Sequence, residues 1–76
     1  METQEMTMDE QLLTTLRNNE ANYPKDYISR TVEQYRIDRG LRNTQLLFFS
    51  SILRDNRKIS SEEYSKIANL LSDKVR

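Results

Sequence analysis

The sequence predicts an all-α protein, a compact bundle of four helices in which the third, about residues 44–56, is central and buried. The 76-residue chain has one Gly and one Pro. Turns are therefore few and the elements between them long, which favours helices over a many-stranded sheet. Apolar residues recur at helical spacing in four stretches, and two of these open on a Ser/Thr-x-x-Glu signature. One domain is the limit at this length. Residues 1–6 read as a disordered tail and 7–76 as a single helical domain.

The first helix begins after Thr7, where Thr7-Met8-Asp9-Glu10 fits a capping box. Met8, Leu12, Leu13 and Leu16 form a narrow stripe, and Tyr23-Pro24 ends the helix because the residue before Pro leaves the α region. The second runs from about Asp26, an N-cap candidate, to Arg39. Ile28, Val32 and Tyr35 share a face, Gly40 supplies a left-handed stop, and Ile37 lies on the opposite side. The third carries Leu46, Leu47, Phe48, Phe49, Ile52 and Leu53, apolar nearly all round, which places it inside with a core centred on Phe49 and Leu53. The fourth combines Ile59 at N′, Ser60 at N-cap, Glu63 at N3 and Tyr64 at N4. Ile67, Ala68, Leu71 and Val75 continue its stripe. Short connections make helices two, three and four sequential neighbours.

Composition excludes most catalytic chemistry. There is no His and no Cys, so the usual zinc sets, haem through His and His-dependent nucleophilic triads are ruled out, as are disulfides. A single Gly cannot build a phosphate-cradling loop, and the calcium-loop carboxylate spacing is missing. Most acids fall at helix starts, where capping and the macrodipole explain them. No catalytic residue, cofactor or metal is expected. The longest apolar run, Leu46–Phe49, is far short of the ~20 residues of a membrane span, and residues 1–10 lack the apolar stretch of a secretory signal. The expectation is a cytoplasmic, soluble protein without a membrane partner.

The net charge of zero, from twelve cations and twelve acids, hides a polarity. Residues 1–24 sum to −4, residues 25–58 to +4, and residues 59–76 to zero. Eight of the twelve cations are Arg, the side chain suited to bidentate pairing with carboxylate or phosphate. The plain alternative is a solvated acidic start, or one that folds back on the basic middle.

Two helices joined by a Gly-containing turn suggest a helix-turn-helix, but helix three lacks the exposed cations of a reading helix. Phosphate contact by Arg36, Arg39 and Arg42 at one turn, and by Arg54, Arg57 and Lys58 at the other, is the remaining nucleic-acid reading. The stretch from Ile52 to Leu71, with its Lys-Ile-Ala-x-x-Leu, resembles the end of a phage-repressor-type helix-turn-helix domain. Val32–Gly40 is similar to that family's opening helix and turn. The roughly nine residues of its central helices are missing between them. Leu41–Arg57 is similar to the central helix of the Hha-type nucleoid modulators, without their Asp-His-Arg signature. These resemblances imply a transcriptional setting and assign no residue a role.

The functional expectation is a small non-enzymatic regulator that works by binding another protein, of a phage or mobile-element kind. Tyr27, Arg30, Arg36, Arg39 and Arg42 are the candidate partner-binding residues, with Ile37 as their apolar point, since Arg and Tyr are favoured at interface centres. A homodimer through Ile37 is a variant of this reading. The competing classes are a DNA-binding protein that uses its Arg-rich turns on phosphates, and an immunity or antitoxin protein.

Overall fold

The ends of the helices are set by a small number of local hydrogen bonds. The computed structural model describes residues 6–75, with side chains through residue 72. The tail expected over 1–6 thus lies, apart from Met6, outside the described residues, as does the Val75 side chain. Helix α1 (Met8–Asn22) starts after Thr7, whose amide donates to the Glu10 carboxylate at 3.4 Å. It stops where the Tyr23 amide donates to the Asn19 carbonyl, just ahead of Pro24. Helix α2 (Tyr27–Arg39) follows Asp26, but the Asp26 carboxylate caps nothing. With φ −117° and ψ 15°, Asp26 is not in the extended conformation that aims a cap side chain at the first turn. Its carbonyl instead accepts from the Arg30 amide and the Ser29 hydroxyl.

Helices α2 and α3 (Asn43–Asp55) end in the same way. After α2, Gly40 N–H donates to the Ile37 carbonyl and Leu41 N–H to that of Arg36; after α3, Arg57 N–H donates to Arg54 and Lys58 N–H to Leu53. Each is a Schellman stop whose pivot residue is left-handed. The pivot has φ 61° in both, yet one is Gly40 and the other Arg57. Helix α4 (Ser61–Val75) opens on the expected capping box: Glu63 N–H donates to Ser60 Oγ at 3.0 Å, and Ser60 N–H to Glu63 Oε1 at 2.9 Å. Ile59 is buried ahead of it.

Four amphipathic helices then have one way to hide their stripes. Around the bundle the packing order is α1, α2, α4, α3, with α2 and α3 also touching across the middle. Helices α2 and α3 each contact all three others, so the central position predicted for α3 is shared with α2. The core takes Leu12 and Leu16 from α1, Val32 and Tyr35 from α2, Leu46 and Leu53 from α3, and Ile67 and Leu71 from α4. Tyr35 is the largest sealed side chain, and its hydroxyl donates to the Met8 carbonyl at 2.9 Å, which satisfies the buried O–H. Among the described residues two polar side chains are fully buried. Thr31 accepts from Asn19 Nδ2 at 2.8 Å, and Ser50 donates to its own helix at Leu46.

The centre of the core is not where the sequence suggested. Leu53 is sealed, but Phe49 is only partly buried and Phe48 is 60% exposed. Neighbouring helices cover the side of α3 bearing Leu46, Ser50 and Leu53, whereas Phe48 lies about 200° round from Leu46. A helix apolar all round exceeds what three neighbours can cover, and the excess faces water.

Two outcomes follow in urea titrations. Leu53→Ala costs about 2–5 kcal/mol, a large part of the few kcal/mol expected of so small a domain, whereas Phe49→Ala costs roughly half as much or less because its ring is already partly hydrated. At the helix stops the signs oppose. Arg57→Gly raises stability by about 0.5–1 kcal/mol, as relief of the left-handed penalty exceeds the added unfolded-state entropy. Gly40→Ala lowers stability by about 1 kcal/mol through backbone strain alone, since a Cβ there meets nothing within 4 Å.

Candidate interaction surface

Burial divides α2 lengthwise. Ile28, Thr31, Val32 and Tyr35 face the core, while Arg30, Glu33, Gln34 and Ile37 lie on the outer side. Ile37 is 60% exposed. The Arg30 guanidinium lies 4.3 Å from the centre of the Tyr23 ring. Gln34 Nε2 donates to the Asp38 carboxylate at 2.9 and 3.1 Å. Of the six residues singled out in the sequence, Arg30 and Ile37 share this face.

The other four are placed differently. Arg36, Arg39 and Arg42 follow one another around the Gly40 turn. Arg36 is half-buried, and its Nε is shielded from solvent without a hydrogen-bond partner. Arg39 stacks on the Tyr35 ring at 4.1 Å and donates to Gln11 Oε1 at 3.2 Å, so it closes α2 onto α1. Arg42 is exposed at the start of α3, its amide donating to Gln45 Oε1 at 2.8 Å. Tyr27 sits at the far end of α2, half-buried, and its hydroxyl donates to Glu63 Oε2 at 2.7 Å. Burial first, and that hydrogen bond second, push the Tyr27 phenol up to about 12.

The tyrosines account for much of the arginine content. Arg30 covers Tyr23, Arg39 covers Tyr35 and Arg54 covers Tyr64 at 4.2 Å, each a cation–π contact between side chains of one chain. The acidic start and the basic middle do not pair as blocks. Among the described residues no acid of segment 6–24 forms an ion pair with a cation of segment 25–58.

A second cluster had no signal in the sequence beyond its cap. Arg17 Nη1 lies 2.8 Å and Nη2 3.2 Å from the two Glu63 carboxylate oxygens, and Nη2 also donates to the Lys58 carbonyl at 3.0 Å. Glu63 thereby joins α1, α2 and the α4 cap with a side chain only 14% exposed. The Arg17 guanidinium, against the cost of burial and with help from the Ser60 amide and the Tyr27 hydroxyl, holds the Glu63 carboxyl down at about 2. The helical position of Glu63 as N3 was legible; its partners 46 and 36 residues away were not.

Other chemistry is sparse. An open groove of about 410 Å³ lies between the 24–29 segment and α4, lined by Lys25, Tyr27, Lys66, Asn69 and Leu70. Among the described residues no group of three or more His, Cys, Asp or Glu is arranged to hold a metal ion, and no helix is long and apolar enough to cross a membrane. No protein-family model, curated protein or solved structure matches the chain.

The Glu63 cluster makes stability acid-sensitive in a defined window. Its folded pKa of about 2 lies below the ordinary 4.5, so its contribution is complete above pH about 4.5 and disappears as pH falls toward 2. Discounted for the half-exposed Arg17, that contribution is on the order of 2 kcal/mol. Urea midpoints measured against pH should fall through this window for the natural chain, and Glu63→Gln should be less stable at neutral pH with a flatter acid response.

Proposed function

We propose that the protein is a small non-enzymatic regulator that acts by binding another protein through the outer face of α2. The observation that carries this reading is Ile37, an isoleucine 60% exposed on a helix whose other large apolar residues are half-buried or buried. Arg30, held in place over Tyr23, lies on the same face. An apolar point beside a pre-positioned guanidinium is the composition of an interface centre. Arg36, Arg39 and Arg42 extend the surface around the Gly40 turn, with Arg42 the exposed member nearest α3. The setting we favour is transcriptional regulation of a phage or mobile-element kind, supported only by the two sequence resemblances.

The nucleic-acid reading has less support. Of the six cations at the two turns, Arg39 and Arg54 lie over tyrosine rings and Arg36 is half-buried. Arg42, Arg57 and Lys58 remain exposed for phosphate.

Affinity capture from the native host, read by mass spectrometry, tests the proposal. The natural chain should recover one stoichiometric partner, and Ile37→Asp, a surface change, should lose it while its circular dichroism stays that of the natural chain. Capture that is indifferent to Ile37→Asp refutes the α2 face. Saturable duplex-DNA binding at ~50 mM salt that weakens steeply as salt rises would favour phosphate contact instead. A captured toxin neutralised by the chain would narrow the reading to an immunity or antitoxin protein.

A further inference from the structure

The outer face of α3 is the second place where the fold leaves large apolar surface in water. Phe48 is 60% exposed, its ring 5.9 Å from that of the half-buried Phe49, and Ile52 lies one turn further along, also half-buried. Residues 43–53 contain no charged side chain, in a chain where 32% of residues are charged. Along the chain the flanks of this neutral strip are mainly cationic: from Arg39 through Ser61 there are five cations and one acid. Arg42 is exposed at the start of α3 and Arg57 just beyond its end, whereas Lys58 lines a groove with Asp9 and Glu10 of α1. The one acid of that stretch, Asp55, pairs with Arg54 at 3.3 Å and stays 70% exposed.

We propose that this face docks an acidic amphipathic helix of a partner protein, whose apolar stripe covers Phe48 and Ile52 and whose flanking carboxylates meet Arg42 at one end and Arg57 at the other. Apolar residues presented along one helix match the i, i+3, i+4 anchors of a helix laid alongside, and Arg at both ends favours carboxylates. A second copy of this chain fits less well, because it would bring one cation-rich rim against another. An acyl-chain environment also fits less well. Exposed Thr44 and Gln45 share the face, and the Thr44 hydroxyl and the Gln45 side-chain N–H groups would lack partners there. The inference concerns a different face from α2 and does not depend on the reading given for it.

The absence of Trp from the chain provides a clean measurement. A small panel of synthetic helical peptides is built with Leu at i, i+3, i+4 and i+7, one Trp beside the stripe and Glu at the flanks. A matching panel carries Lys in place of Glu. The expected result is saturable binding of a Glu peptide to the full-length chain, seen as a blue shift of Trp emission that weakens with salt, and no binding of its Lys counterpart. Phe48→Ser should weaken that binding about tenfold or more, Arg42→Glu should weaken it through charge, and Ile37→Asp should leave it unchanged. Because Phe48 is exposed, Phe48→Ser is expected to fold, and its circular dichroism and urea midpoint verify this. The proposal is overturned if no Glu peptide binds, if Lys peptides bind equally, or if Phe48→Ser has no effect. It is likewise overturned if Phe48 instead mediates sedimentation with phosphatidylserine vesicles, or a doubling of mass in light scattering.

Discussion

The bundle depends on a single carboxylate. Glu63 accepts from the Ser60 amide of its own helix cap, from the Arg17 guanidinium of α1 and from the Tyr27 hydroxyl at the start of α2. Helices α1 and α4 lie across a diagonal of the bundle, so an apolar seam between them is unavailable. The Arg17–Glu63 pair spans that diagonal with side chains. Arg17 also takes the Lys58 carbonyl, which fixes the α3–α4 connection against α1. A capping residue is thus also the tertiary tie. Losing Arg17 would leave the largely buried Glu63 carboxylate without its cation, which is the costly way to break such a pair even where its net gain is modest.

The same economy of parts explains where the arginines go. Among the described residues, three of them lie over tyrosine rings and a fourth grips Glu63, so these four guanidiniums are engaged within the fold. With no Trp and only two Phe, the chain covers its tyrosine rings with Arg side chains whose aliphatic stems also shield apolar area. The charge polarity of the sequence therefore does not become two opposed blocks in space. Arg42 and Arg57, at the two ends of α3, and Arg30, over the partly exposed Tyr23, are exposed at separate places on the bundle.

What was legible in the sequence was local. The Ser60–Glu63 box, the left-handed Gly40 stop and the pairs Leu12/Leu16 and Ile67/Leu71 each depend on residues within about one turn of each other, where propensity and spacing act directly. What was not legible required knowing how much of each helix its neighbours cover. Phe48 and Phe49 have the composition of core, and only the packing of three flanking helices decides that one is outside. Arg57 takes up a left-handed stop that its neighbours do not advertise, because the chain must turn there whichever residue stands at the pivot. For the candidate surface, the sequence placed Ile37 on the face of α2 away from the core, and the structure puts Arg30 on that face with it. It had no means of seeing that Tyr27 is bound to Glu63 or that Arg39 covers Tyr35.

The hydrogen bond from Asn19 to the sealed Thr31 has a consequence for how the bundle avoids misalignment. Leucine and valine seams are nearly periodic, and sliding α1 by one turn against α2 would trade one aliphatic contact for another at little cost. Asn19 and Thr31 meet in this register alone. A slip of one turn, about 5.4 Å, breaks their hydrogen bond, and a buried polar group left without a new partner costs about 1–3 kcal/mol. A pair of small polar side chains thus acts as an indexing pin. It adds little to the depth of the native state but separates it from its nearest alternative.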